Sequence, residues 1–128
     1  MKTTGETDRF AAFEMRLERC SRTIAEAFRA LKMQVEGWPG VTTKIDSKLD
    51  GMTFYRDDRR FFRLDPKHSA RVDNIGVAFF GLTHEEVRTA SGIETREELK
   101  QDGVWIFIHD ETHNAALVRL ARQAAAIG

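Results

Sequence analysis

At 128 residues the chain can bury one sizeable core without metal or disulfide staples. Its 41% hydrophobic and 31% charged residues, with only two prolines, exclude a disordered or fibrous chain. Twenty Lys and Arg balance twenty Asp and Glu, which excludes the global field of a general nucleic-acid or anionic-membrane binder.

Residues 1–9 lack the apolar core of a signal peptide and are expected to form a flexible N-terminus ahead of a single α+β domain over 10–128. From Phe10 the apolar residues Phe13, Leu17, Cys20, Ile24, Phe28, Leu31 and Val35 recur at steps of three and four. This spacing predicts one long helix, about 40 Å from end to end, stopped at Gly37-Trp38-Pro39-Gly40. So long a rod overhangs a small domain, and the overhang suits a homodimer contact. Cys20 falls on its apolar stripe, where a small buried hydrophobe is expected. As the single cysteine it excludes an intramolecular disulfide and a thiolate zinc cage.

Beyond the helix the apolar period changes from three-to-four to two. Val41 to Leu49 forms a weak first strand, and Met52–Arg56 with Arg60–Leu64 form a hairpin around Asp57-Asp58. Ile75 to Phe80 reads as a further strand. Thr83-His84-Glu85-Glu86 and Thr95-Arg96-Glu97-Glu98 each have capping-box spacing and predict two short helices separated by Ser91-Gly92. Val104 to Ile108 is apolar on both alternating faces, as in a central strand covered on two sides or a strand facing a second core. Ala115 to Ala126 closes the chain as an amphipathic helix. The expected fold is therefore α+β: a long N-terminal helix and a C-terminal helix on a mostly antiparallel sheet of four to five strands, with two short helices before the last strand. No stretch approaches the roughly 20 apolar residues of a membrane span, so a cytoplasmic, reduced protein is expected.

Four groups of residues could carry chemistry. With Asp57 and Asp58 as a two-residue loop, Asp50 lies opposite Asp65, and Lys67 follows on the same face. An acid, then an acid-x-Lys on its partner strand, resembles the PD-(D/E)xK nuclease pattern. That resemblance implies carboxylates holding Mg²⁺ against a phosphodiester and a lysine orienting the attacking water, with Glu26 as an extra acid. Pro66 at the middle position argues against an interior strand there. Arg56, Arg59, Arg60 and Arg63, with Lys67 and Arg71, interleave with Phe54, Tyr55, Phe61 and Phe62 and could bind nucleic acid by phosphate pairing and base stacking. Interspersed Asp57, Asp58, Asp65 and Asp73 oppose that use.

His109 and His113 could ligate a metal, with His84 or His68 as a third ligand, although a strand end followed by a helix cap accounts for the same residues. The two capped segments also outline a helix-turn-helix reading through Thr95 to Gln101. Residues 85–102 hold six acids against three bases, the wrong sign for DNA.

The long leading helix, the Phe- and Arg-rich hairpin from Met52 to Pro66, the Asn74-Ile75-Gly76 segment, the late apolar strand and the closing helix together resemble the YdhG-like bacterial domains. The resemblance covers residues 10–127 in outline and implies an α+β fold. Some relatives in that group look frataxin-like and are linked to iron, but the first helix here lacks the acidic ridge that role needs. Because the group has no accepted catalytic motif, the resemblance implies no functional residue. The function expected from sequence is a binding or interaction module, for protein partners or itself and with no cofactor. Mg²⁺-dependent nuclease and nucleic-acid binder are the alternatives.

Overall fold

The computed structural model describes residues 2–99 and 101–127, with side chains from Arg9 on, and shows an α+β fold. In chain order the elements are α1 (Lys2–Leu17), α2 (Arg22–Glu36), β1 (Val41–Ile45), β2 (Met52–Arg56), β3 (Arg59–His68), β4 (Asp73–Phe79), α3 (His84–Ser91), β5 (Val104–Ile108) and α4 (Asn114–Ala124). The five strands form one antiparallel meander in the order β1-β2-β3-β4-β5. Residues 2–9, within the stretch expected as a flexible N-terminus, have the helical backbone of α1.

The single long helix of the sequence reading is two helices. The chain leaves α1 after Leu17, and Ser21 adopts the extended backbone of an N-cap, its hydroxyl accepting from Ile24 N at 3.2 Å. Asp73 on β4 accepts from Ser21 N at 3.2 Å and fixes the corner. Phe13, Leu17, Ile24, Phe28, Leu31 and Val35 are all buried, so the apolar stripe crosses the break without losing its phase. Periodicity reports which residues are buried and says nothing of the axis they wind around. The rod that suggested a homodimer contact is therefore absent, and Cys20 sits half-buried at the corner.

The hairpin turns on Asp57 and Asp58 as read from sequence. Both have positive φ, +53° and +62°, the backbone of a two-residue turn that matches strand twist. One pair further on the register departs from the reading. Tyr55 pairs with Arg60, but Phe54 pairs with Phe62, so Phe61 is an extra residue in a bulge. The bulge lets consecutive Phe61 and Phe62 both reach full burial, Phe61 stacked 6.3 Å from Trp38 and Phe62 in tilted contact with Phe79 at 5.4 Å. It also shifts every later partner by one. Asp65 therefore aligns with Gly51 and not with Asp50.

Two other expectations change. α3 begins with the predicted capping box, Thr83 with Glu86, but the second capped segment forms no helix. Thr95 is buried there, accepting from Arg88 at 3.0 Å and bonded to the His84 ring at 2.8 Å, which uses its hydroxyl in a tertiary contact instead of a cap. The reading helix of a helix-turn-helix is thus missing. β5 is an edge strand, not a central one. Its two apolar faces have separate causes: Val104, Ile106 and Ile108 enter the main core, while Trp105 and Phe107 lie on the other side of the sheet.

That main core lies between the sheet and the helices. Met52, Phe54, Phe62, Leu64, Val77, Phe79 and Ile106 pack against Phe28, Leu31, Leu117 and Leu120. The opposite face carries no helix among the described residues. Residues 93–99 and 101–103 cross part of it, held where Arg96 N donates to Trp105 O at 2.8 Å and Trp105 Nε1 donates to Asp102 O at 3.0 Å. No helix among the described residues is long and apolar enough to cross a membrane.

Candidate functional site

Strand register sets the side chains of the uncovered face into rows. Thr53 pairs with Arg63, Arg63 with Ala78, and Ala78 with Trp105. In the next row Asp65 pairs with Gly76 and Gly76 with Phe107, and beyond it Lys67 pairs with Asn74. Directly opposed side chains have Cβ atoms about 4.5–5.5 Å apart, so each row is a set of touching neighbours.

Gly76 is the exception that shapes the surface. A Cβ there would lie 3.2 Å from the Trp105 ring and 3.3 Å from the Phe107 ring, so its absence allows both rings to lean onto the sheet. Arg96 stacks over Phe107 at 5.0 Å, and the Trp105–Asp102 bond fixes the indole.

β2 ends opposite Leu64, leaving Asp65 to His68 with a strand neighbour only on the β4 side. Pro66 is tolerated in this stretch because proline is accommodated where a strand is locally an edge. The notch so formed opens into a cavity of about 380 Å³. Trp105, Phe107 and Leu99 supply its apolar wall. Arg16, Asp50, Asp65, Lys67, Asn74 and Gln101 supply polar groups.

An ionic network supports one side. Arg63 donates to Asp65 at 2.5 Å, to Asp46 at 2.6 Å and to Thr53 at 3.1 Å, with its side chain only 19% exposed. Burial opposes the charge on Arg63, but the two carboxylates hold its pKa above the ordinary arginine value. The carboxylates themselves diverge. For Asp46, burial acts upward, yet hydrogen bonds from Arg63 and from the Asp50 and Lys48 backbone hold the pKa below normal. For Asp65, burial outweighs the Arg63 bond, and the charges of Asp46 and Asp50 add to the rise, so the pKa lies above normal. Asp65 is thus a carboxylate with incomplete compensation at the cavity wall. Gly51 makes room for this network, since a Cβ there would fall 2.0 Å from the Asp65 carboxylate.

Asp50, Asp65 and Lys67 all border the one cavity, although Asp50 and Asp65 are not the cross-strand pair the sequence suggested. Each carboxylate already faces a guanidinium, Asp50 with Arg16 at 3.0 Å and Asp65 with Arg63. Glu26 on α2 pairs with Arg22 and is not among the cavity residues. Arg59 and Arg60 border one depression and Arg60 and Arg63 another, so three of the four hairpin arginines are neighbours. Arg56 donates to the Ala125 carbonyl at 3.0 Å, Arg60 pairs with Asp102 at 2.8 Å and lies over Phe80, and Arg63 is held as described. Arg59 borders a shallower depression with Arg60, Phe80 and His84.

His109 follows β5, its ring bonded to the Asp73 carbonyl at 3.3 Å, and His113 occupies the N-cap position of α4. Among the described residues no three His, Cys, Asp or Glu side chains gather as a metal site.

Sequence reasoning missed Arg16, Asn74, Gly76, Leu99, Gln101, Trp105 and Phe107 as cavity residues. Two signals pointed to them: a glycine inside the apolar run Ile75 to Phe80, and the second apolar face of Val104 to Ile108. No protein-family model, curated protein or solved structure matches the chain.

Proposed function

We propose that the domain is a binding module whose ligand is a small organic molecule held in the cavity bordered by β3, β5, Leu99 and Gln101. One observation carries this reading: fixed rings and ionic groups that folding has not fully compensated border the same hollow. Ligand sites are typically concave and largely apolar with a few convergent polar groups, and a volume of about 380 Å³ lies at the small end of their range. Self-association through one long first helix, part of the expectation from sequence, loses its basis with the division of that helix.

The test is a screen of small fragments against the ¹⁵N-labelled protein, read at the Trp105 indole N–H. Binders are expected to move that signal and to raise the melting temperature, because ligand at 100 times its Kd adds about 2.7 kcal/mol to the folded state. Trp105→Ala, which also removes the reporter, should abolish the rise in melting temperature. A screen in which fragments bind only elsewhere ends this reading.

The meeting of Asp50, Asp65 and Lys67 at one cavity also favours, less strongly, the Mg²⁺-dependent phosphodiesterase. Against it, guanidinium groups already occupy both carboxylates. Mg²⁺-dependent cleavage of single- or double-stranded DNA that Asp65→Ala abolishes, in a variant with an unchanged circular dichroism spectrum, would establish it.

A further inference from the structure

We infer that the ligand is a free α-amino acid with an apolar side chain, bound as the zwitterion; this deepens the small-molecule reading and rests on it. The inference begins with two unmet groups side by side. Lys67 on β3 is exposed and has no ion-pair partner among the described residues. Asn74, its directly opposed partner on β4, has a buried Oδ1 with no hydrogen-bond partner. A buried acceptor left unpaired is costly, and a small turn of the amide presents it to a donor in the cavity. A cation and an acceptor carried by directly opposed residues, whose Cβ atoms lie about 5 Å apart, match a ligand with an anion and an N–H donor on one carbon. An α-carbon bearing carboxylate and ammonium has that arrangement.

Asp65 selects the charged donor. It lies two residues from Lys67 on the same strand face, with burial and the charges of Asp46 and Asp50 all opposing its ionisation. An ammonium in the cavity supplies the positive charge that Arg63, shared with Asp46, delivers only in part. The lining charges also argue against a polyanion, since Arg16 and Lys67 are matched by Asp50 and Asp65. A phosphorylated ligand would meet as many repelling groups as attracting ones, whereas a zwitterion complements both. The remaining wall of Trp105, Phe107 and Leu99 receives an apolar side chain.

The experiment titrates the ¹⁵N-labelled full chain with leucine and phenylalanine, with isoamylamine, 4-methylpentanoate and N-acetylleucine as single-function analogues, and with neutral indole. Leucine or phenylalanine should bind about tenfold or more tightly than any of the analogues, the scale of a lost charge-assisted hydrogen bond. Lys67→Ala, at an exposed position, should erase the advantage of leucine over isoamylamine. Asp65→Asn should erase the advantage over N-acetylleucine, which also separates a free amino acid from a peptide C-terminus. If an analogue or indole moves the Trp105 signal as strongly as the amino acids do, the ligand class is wrong and the cavity reading stands. If none of the six compounds moves it, the amino-acid proposal is overturned, and the fragment screen decides the cavity reading separately.

Discussion

The two faces of the sheet use the same strands for opposite purposes. On the helix-covered face, Met52, Leu64, Val77 and Ile106 form one row and Phe54, Phe62, Phe79 and Val104 the next, each no more than 5% exposed. On the other face the rows alternate Arg63, Asp65 and Lys67 with Ala78, Gly76 and Asn74 before ending at Trp105 and Phe107. The covered face gains stability from apolar area removed from water. The uncovered face holds charges by mutual pairing and leaves a hollow where Gly76 has no side chain. The apolar core and the charge-lined cavity are thereby separated across the thickness of one sheet, and substitutions on the two faces should have distinct signatures.

The largest effect belongs to the covered face. Phe62→Ala removes a ring that touches Phe54 at 5.3 Å and Phe79 at 5.4 Å and has no exposed surface to relax into. It should cost about 3–5 kcal/mol, read as a lowered urea midpoint with an unchanged slope. Phe107→Ala, at a half-buried ring, should cost about 1–2 kcal/mol by the area it covers and should also weaken any cavity ligand. Equal losses at the two rings would break the contrast between the faces.

Arg63→Leu comes next and tests the uncovered face by its pH dependence. Removing the shared guanidinium leaves Asp46 and Asp65 facing one another partly buried, and should cost about 3 kcal/mol at pH 7. In the native protein the two acids act in opposite senses. Asp46, with its pKa lowered on folding, contributes stability above its unfolded pKa of about 3.9 that is lost as pH falls through the lower folded value. Asp65, with its pKa raised, favours the fold below about pH 3.9 and loses that contribution as pH rises through the higher folded value. Without Arg63 both carboxyl pKa values move up, so acidification costs the variant less than it costs the native protein. Urea titrations at pH 7, 5 and 4 should show the deficit of the variant shrinking on acidification; a deficit that is constant or grows contradicts the network.

The sequence carried the covered face well and the uncovered one poorly, for a physical reason. Burial at Phe28, Phe54, Leu64, Val77 and Leu117 follows from periodicity, which depends only on side-chain direction along each element. Strand assignments and the Asp57-Asp58 turn were legible on the same basis. The break at Ser21 was not, because the apolar stripe crosses it in phase. Nor was the Phe61 bulge, which depends on whether the core has room for two consecutive rings. The cavity depends on that bulge, on the length of β2 and on where Leu99 and Gln101 lie over the sheet. All three are tertiary outcomes, so Asp65 and Lys67 were found as candidates while Trp105, Asn74 and Gly76 were not. The failed helix at Thr95 has the same origin: a good cap was taken by His84 and Arg88.

A smaller effect should come from Gly51→Ala. The added methyl falls 2.0 Å from Asp65 Oδ1 and 2.8 Å from an Arg63 nitrogen, so the ion pair must shift or the loop from Asp46 to Gly51 must open. A cost of about 1–3 kcal/mol is expected, as for overpacking elsewhere. The diagnostic is non-additivity. In an Asp65→Ala background the closest clash is gone, so the second substitution should cost less, and a double-mutant cycle in urea should give a coupling of about 1 kcal/mol. Strict additivity would place the strain of Gly51→Ala outside the network.

The smallest effect, and the one opposite in sign, lies at the hairpin tip, outside the paired strands. Asp57 and Asp58 hold left-handed backbone at φ +53° and +62°, a region that aspartate tolerates and glycine occupies without steric cost. At the second position of such a turn glycine is the favoured residue, and Asp58→Gly should stabilise the fold by roughly 0.5 kcal/mol, the relief of strain exceeding the added freedom of the unfolded chain. The gain should appear as a slightly higher urea midpoint with no change in the Trp105 indole signal or in its response to cavity ligands. This outcome sharpens the contrast, because it raises stability without altering the network or the cavity. If Asp58→Gly perturbs Trp105, the hairpin tip and the uncovered face are mechanically coupled through β3, and the two faces are less independent than their side chains imply.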